Sequence, residues 1–168
     1  DLDVAIVGGG PSGIVAACNR YTHIRGCDNY GDNINTHPKS GNSRLGNITC
    51  ITGAGSCIYD SRNFGDLIST TAGAVGGVLC LVNADDNVFE RVESYGTVIS
   101  DKENNSYKGS WFGQCNKKAQ FKDCVAGGTV GKYNGGNYAV VETNADNYFD
   151  YIGQIGSAVV NATKENIR

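Results

Sequence analysis

The chain lacks much of what most catalytic sites and long helices are built from. It has two prolines, two histidines, one tryptophan and no methionine. Charged residues make up 18% and the net charge is −3, with no recurring basic patch, so no nucleic-acid partner is expected. No run of about 18 apolar residues occurs, which argues against membrane insertion through a helix. His23 and His37 lie in polar stretches, there is no C-x-x-C pair, and a zinc ligand set is missing. Neither histidine has a Ser or Cys nucleophile positioned with it. We therefore expect no catalytic residues, no metal and no cofactor. The missing methionine and signal peptide point to a processed product or a piece of a longer chain.

What is abundant is glycine, at 24, and asparagine, at 18. Both tolerate positive φ and tight corners, which suits many short strands joined by many turns. Seven cysteines are also present. Sequons at Asn47, Asn104 and Asn161 are candidate N-glycosylation sites. Together these features suggest a secreted or cell-surface protein.

The chain repeats itself. Five segments align: "IRGCDNYGD" (24–32), "IYDSRNFGD" (58–66), "FERVESYGT" (89–97), "FKDCVAGGT" (121–129) and "FDYIGQIGS" (149–157). Their anchoring glycines, Gly31, Gly65, Gly96, Gly128 and Gly156, are 34, 31, 32 and 28 residues apart. A second block precedes the first four: "SGIVAAC", "RLGNITC", "GGVLCLV" and "SWFGQC", with Gly46 and Gly77 each 19 residues before the next anchor. Each copy reads as about three short strands with loops.

One copy cannot bury its own apolar face, whereas stacked copies can. The expected fold is thus all-β: a β-solenoid, like a parallel β-helix, of about five imperfect repeats of 28–34 residues. It would form a single domain over 1–168 that starts and ends within a repeat. Equivalent residues then form columns. Ile24, Ile58, Phe89, Phe121 and Phe149 give one candidate core column, and Tyr30, Phe64 and Tyr95 another. The three-residue spacing between columns implies a bend within the block. The variable columns place opposite charges on neighbouring copies: Asp28 with Arg62, Asp60 with Arg91, Arg91 with Asp123, Glu90 with Lys122. Such pairs contribute about 0.2–1 kcal/mol each.

"VGGGPSG" (7–13) has the G-x-G-x-x-G spacing at Gly8, Gly10 and Gly13 of a dinucleotide site. That fold needs a helix next, then an apolar strand ending in an acid. Asp32 lies at a suitable distance, but no such strand precedes it. The glycine run reads as a repeat corner, and a flavin- or NAD-binding fragment is the lesser alternative.

Cys18, Cys50, Cys80 and Cys115 fall in or just after the second block. They form a candidate ladder of core thiols or of disulfides, with Cys18 and Cys50 one pair that could bridge adjacent copies. The acids of "NADDN" (83–87) and "NADN" (144–147) read first as Asx turns, then as weak calcium or catalytic groups.

The alternation of "GGVLCLV"-type and "FKDCVAGGTV"-type blocks resembles GLUG-motif repeats. That resemblance implies β-solenoid segments of large secreted or surface proteins, including adhesins, and brings no catalytic residues. The expected function is a non-enzymatic extracellular structural or adhesive repeat, part of a longer solenoid or a subunit stacking head to tail into a filament. Its partners would be further copies and glycans. A carbohydrate-binding or carbohydrate-degrading β-helix is the alternative.

Overall fold

A computed structural model describes residues 15–35, 43–69, 73–100, 107–134, 137–141, 152–155 and 165–168. Short strands follow one another at corners. The first described coil holds β1 (Val15–Cys18), β2 (His23–Arg25), β3 (Asp28–Asn29) and β4 (Asn33–Asn35). The next holds β5 (Ser43–Gly46), β6 (Thr49–Thr52), β7 (Cys57–Asn63) and β8 (Leu67–Ser69). Then come β9 (Gly73–Gly76), β10 (Leu79–Val82), β11 (Asn87–Ser94) and β12 (Thr97–Ser100). The fourth coil holds β13 (Lys108–Gly109), β14 (Phe112–Cys115), β15 (Ala119–Lys122), β16 (Val125–Ala126) and β17 (Thr129–Asn134). β18 (Asn137–Val141) and β19 (Gln154–Ile155) follow.

Successive coils pair in parallel and build four sheets: β1-β6-β10-β14-β19, then β2/β3-β7-β11-β15/β16, then β4-β8-β12-β17, and finally β5-β9-β13. β18 folds back antiparallel on β17. The chain is a β-solenoid. Three coils are complete among the described residues, with partial coils before and after, where five repeats were expected. Each complete coil has four faces rather than three, because a further short strand, β5, β9 or β13, runs up to or into the start of the second block.

Backbone geometry explains why the sequence turns where it does. The third position of each of the first four repeat blocks adopts a left-handed conformation: Gly26 (φ 64°), Asp60 (49°), Arg91 (53°) and Asp123 (51°). This is the bend implied by the three-residue column spacing. It resets the in–out alternation of the strand. A second left-handed column, Tyr21, Gly55 and Asp86, turns the chain between the first and second sheets.

The anchoring glycines serve a different need. At Gly65, Gly96 and Gly128 an added Cβ would overlap the carbonyl oxygen of the preceding anchor, at Gly31, Gly65 and Gly96 respectively. Close stacking, not positive φ, excludes a side chain there. The Gly31 and Gly65 carbonyls are bonded by buried asparagines. Asn29 Nδ2 donates to Gly31 O at 2.9 Å and to Asn63 Oδ1 at 2.8 Å, and Asn63 Nδ2 donates to Gly65 O at 3.0 Å. The block's last position continues the ladder. Asp66 N–H donates to Asp32 Oδ1, Thr97 N–H donates to Asp66 Oδ1, and Thr129 Oγ1 bonds Thr97 Oγ1. Gly156 lies outside the described residues.

The expected core column holds: Ile24, Ile58, Phe89 and Phe121 pair in register and are buried. Phe149 lies outside the described residues. Trp111 packs edge-on against Phe89 and Phe121, with centroids 5.2 and 5.3 Å apart, and its Nε1 donates to Val92 O. Full burial of rings this size is the largest apolar contribution in the coil.

Three expectations need correction. Tyr30, Phe64 and Tyr95 do form a column, but they are 70%, 37% and 42% exposed and belong to the surface. The four-cysteine ladder splits: Cys18 faces Thr52, Cys115 faces Val82, and only Cys50 and Cys80 share a register position. Cys18 packs in the main core while Cys50 lies against a smaller cluster, so those two cannot bridge. The sequon asparagine Asn47 is fully buried, with Nδ2 donating to Gly65 O at 2.7 Å, so the atom that would carry a glycan is a core hydrogen-bond donor. Asn104 and Asn161 lie outside the described residues.

Candidate functional site

The most organised surface is the outer face of the second sheet, beyond the left-handed bend. Beyond the bend, strands β3, β7, β11 and β16 alternate. Asn29, Asn63, Ser94 and Ala126 point inward and are buried. Their neighbours on either side point outward, which places Asp28, Arg62 and Glu93 in one outer column and Tyr30, Phe64 and Tyr95 in the next.

The rings stack face to face. Tyr30 and Phe64 centroids are 4.9 Å apart at 9°, and Phe64 and Tyr95 are 5.4 Å apart at 13°. The column ends at Gly127, where an added Cβ would run into the Tyr95 ring. The faces are therefore used between coils, and what the surface offers outward is ring edges. Arg62 locks the flank: Nε donates to Asp28 Oδ1 at 2.9 Å, Nη2 to Asp28 Oδ2 at 2.5 Å, and its Cζ lies 5.6 Å from the Phe64 ring. Tyr95 OH donates to Glu93 at 2.8 Å.

Ahead of the bend a second charged network crosses coils. Asp60 accepts from Arg91 Nε at 2.5 Å and lies 3.7 Å from Arg25 Nε. Glu90 pairs with Lys122 at 3.1 Å and with Arg91. The expected Asp28–Arg62, Asp60–Arg91 and Glu90–Lys122 pairs are present. Arg91 turns to Asp60 and Glu90 rather than to Asp123. The Arg62 and Arg91 guanidiniums hold Asp28 and Asp60 below the usual carboxylate value, and Lys122 does the same for Glu90. Tyr59, beside Cys57, is pushed up to about 12, first by its hydrogen bond with that thiol and then by burial.

Chemically this is an ion-paired, ring-edged face. Asp28, Asp60 and Glu90 are each bonded to a cation, so none of these three is free on this face to serve in an acid–base couple of the glycosidase kind. In "NADDN", Asp85 accepts Lys118 N–H at 2.9 Å and its carbonyl accepts Gly55 N–H at 3.1 Å. Asp86 takes the left-handed conformation and Asn87 Nδ2 bonds Ala84 O, so this loop is a turn. Among the described residues no group of three His, Cys, Asp or Glu could hold a metal ion, and no helix is long and apolar enough to cross a membrane. His37, "NADN" and the Gly8, Gly10 and Gly13 run lie outside the described residues.

Burial raises the thiols of Cys115 to about 12 and Cys124 to about 11, and raises Cys18 as well. These three are core side chains. Cys50 differs, being half-buried, with its Sγ donating to Arg44 O at 3.2 Å and its thiol lowered, first by the neighbouring Cys80. Two features escaped the sequence reading: the outward turn of the aromatic column and the narrowing of the four-cysteine ladder to Cys50 and Cys80. Both had a signal. Aligning Gly46 with Gly76, as the strands do, rather than with Gly77 puts Cys50 on Cys80. Counting by twos from Asn29 puts Asp28 and Tyr30 on the opposite side.

Comparison with protein-family models, with curated proteins and with solved structures finds no match to this chain.

Proposed function

We propose that the chain is a non-enzymatic structural or adhesive repeat of the extracellular surface. The observation that carries this reading is the register. The same four-sided cross-section recurs coil after coil, and the distinctive side chains bond mainly between coils. Asparagine amides, aspartate caps, stacked rings and ion pairs all link one coil to the next. A cross-section of this kind templates a further coil equally well from the same chain or from another copy. Head-to-tail stacking of copies is heterologous and gives open filaments. The resemblance to GLUG-motif repeats points the same way, toward secreted adhesin-like proteins, with Asn104 and Asn161 as glycan sites.

The test is electron microscopy of the chain as isolated, with sedimentation over a range of concentrations. Filaments, or a mass that grows with concentration, are expected. Discrete monomers at every concentration would remove the filament reading. The second reading, a carbohydrate-binding β-helix, is favoured by the exposed Tyr30, Phe64 and Tyr95 column. Its ring faces are spent on one another, so only the outer face of Tyr30 is offered to a sugar. Saturable glycan binding that is lost in Tyr30→Ala would put this second reading first.

A further inference from the structure

The second position of the first sheet reads Ala16, Cys50, Cys80 and Gly113 from coil to coil. The pairings Thr49 with Leu79 and Ile51 with Leu81 set Cys50 directly opposite Cys80. Adjacent parallel strands lie about 4.8 Å apart, inside the roughly 4.4–6.8 Å Cα separation that a disulfide spans. Both side chains belong to one small cluster with Ala74, Ile51, Leu81 and Tyr107, apart from the main core. No other cysteine faces a cysteine. Cys18 faces Thr52, Cys57 faces His23 and Val88, and Cys115 faces Val82 and Ile155. Cys27 lies level with Ser61, and Cys124 with Val92 and Ile167.

The two thiols are not equivalent. Cys80 is fully buried, whereas Cys50 is partly open to solvent. The Cys50 Sγ donates to Arg44 O at 3.2 Å, and the neighbouring Cys80 thiol lowers Cys50, with the Arg44 guanidinium adding to that. The same neighbour, with burial, raises the Cys80 thiol. An accessible, lowered thiol beside a protected second one is the arrangement of an attacking and a resolving cysteine.

We propose that Cys50 and Cys80 are an oxidation site, closing as a disulfide between the second and third described coils, with Cys50 meeting the oxidant. The oxidant is a low-molecular-weight disulfide such as oxidised glutathione. The Cys50 thiolate attacks one of its sulfurs. The reagent S–S bond breaks and one equivalent leaves as a thiolate, leaving a mixed disulfide on Cys50. The negative charge that held the Cys80 proton is then gone. Cys80 loses that proton and attacks Cys50 Sγ, and the second equivalent leaves. The two cysteines give up two electrons and two protons, and the reagent becomes two thiols.

The test starts from the fully reduced full chain. It is equilibrated with oxidised glutathione, remaining thiols are alkylated, and the products are mapped by mass spectrometry. The expected product has one disulfide and five alkylated cysteines. Fragmentation should place the link at Cys50 rather than Cys57, since both lie in tryptic peptide 45–62. Under brief alkylation Cys50 should react about tenfold or more faster than Cys115 or Cys124. In Cys80→Ala, Cys50 should stop at the glutathione adduct, and Cys124 should stay protected as the sign that the coil has folded. A link through any other pair, seven alkylated cysteines after equilibration, or an unmodified Cys50 in folded Cys80→Ala would overturn the proposal.

Discussion

Two columns of large side chains run along the same sheet. One is Ile24, Ile58, Phe89 and Phe121, and the other is Tyr30, Phe64 and Tyr95. Both recur with the repeat, both lie in register, and both contain stacked rings. The first is buried and the second is exposed. What separates them is one left-handed residue per coil, at Gly26, Asp60, Arg91 or Asp123. Periodicity along a solenoid tells which residues stack. It does not tell which side of the wall they stack on.

The largest effect should come from the inner column. Phe121→Ala removes a ring packed against Phe89, Trp111 and Phe112, and should cost about 3–5 kcal/mol in urea unfolding. The glycine column should come next, and it should depend on position. At Gly65 a Cβ meets the Gly31 carbonyl and the Asn29 amide, so Gly65→Ala should cost about 1–3 kcal/mol. At Gly31 the nearest atom is Asn29 Oδ1 at 3.9 Å, so Gly31→Ala should stay within about 0.5 kcal/mol. Equal costs at the two sites would break the close-stacking account. In the outer column, Phe64→Ala loses two ring contacts but little burial, and about 0.5–1.5 kcal/mol is expected.

The smallest effect should be the titration of the outer ion pairs. Asp28 has its folded-state value lowered below 3.8, first through the Arg62 hydrogen bond. Its contribution is thus complete above that ordinary value and is lost as the pH falls through the lowered one. Asp28→Asn should lower the neutral-pH midpoint by a small amount, match the wild type at low pH, and so flatten the decline below pH 3.8. Salt should weaken the wild-type contribution at neutral pH, because the pair is exposed.

The fold was legible because stacking imposes one constraint on every coil. Ile24, Ile58, Phe89 and Phe121 must match, the anchoring glycines must be small, and neighbouring charges must not repel. These rules leave a trace in one sequence read against itself. The surface column was misread because the left-handed bend shifts the alternation, and Asp60 and Arg91 do not announce such a bend as Gly26 does. The fourth strand of each coil escaped because β5 and β9 are four-residue pieces rich in Gly and small residues, resembling turns. That the four-cysteine ladder narrows to Cys50 and Cys80 was hidden by a one-residue misalignment at Gly77. Burial of Asn47 was not legible at all, since a sequon marks a chemistry and not a location.

Hydroxyl-radical footprinting of the native full chain, read by mass spectrometry, tests the placement of the two columns most directly. Intrinsic reactivity is high for all the rings concerned, so protection reports position. The account predicts rapid oxidation of Tyr30, Phe64 and Tyr95, with Phe89, Trp111 and Phe121 protected until the chain is denatured. Comparable rates in the two sets, or an oxidised Trp111 beside a protected Tyr30, would contradict it.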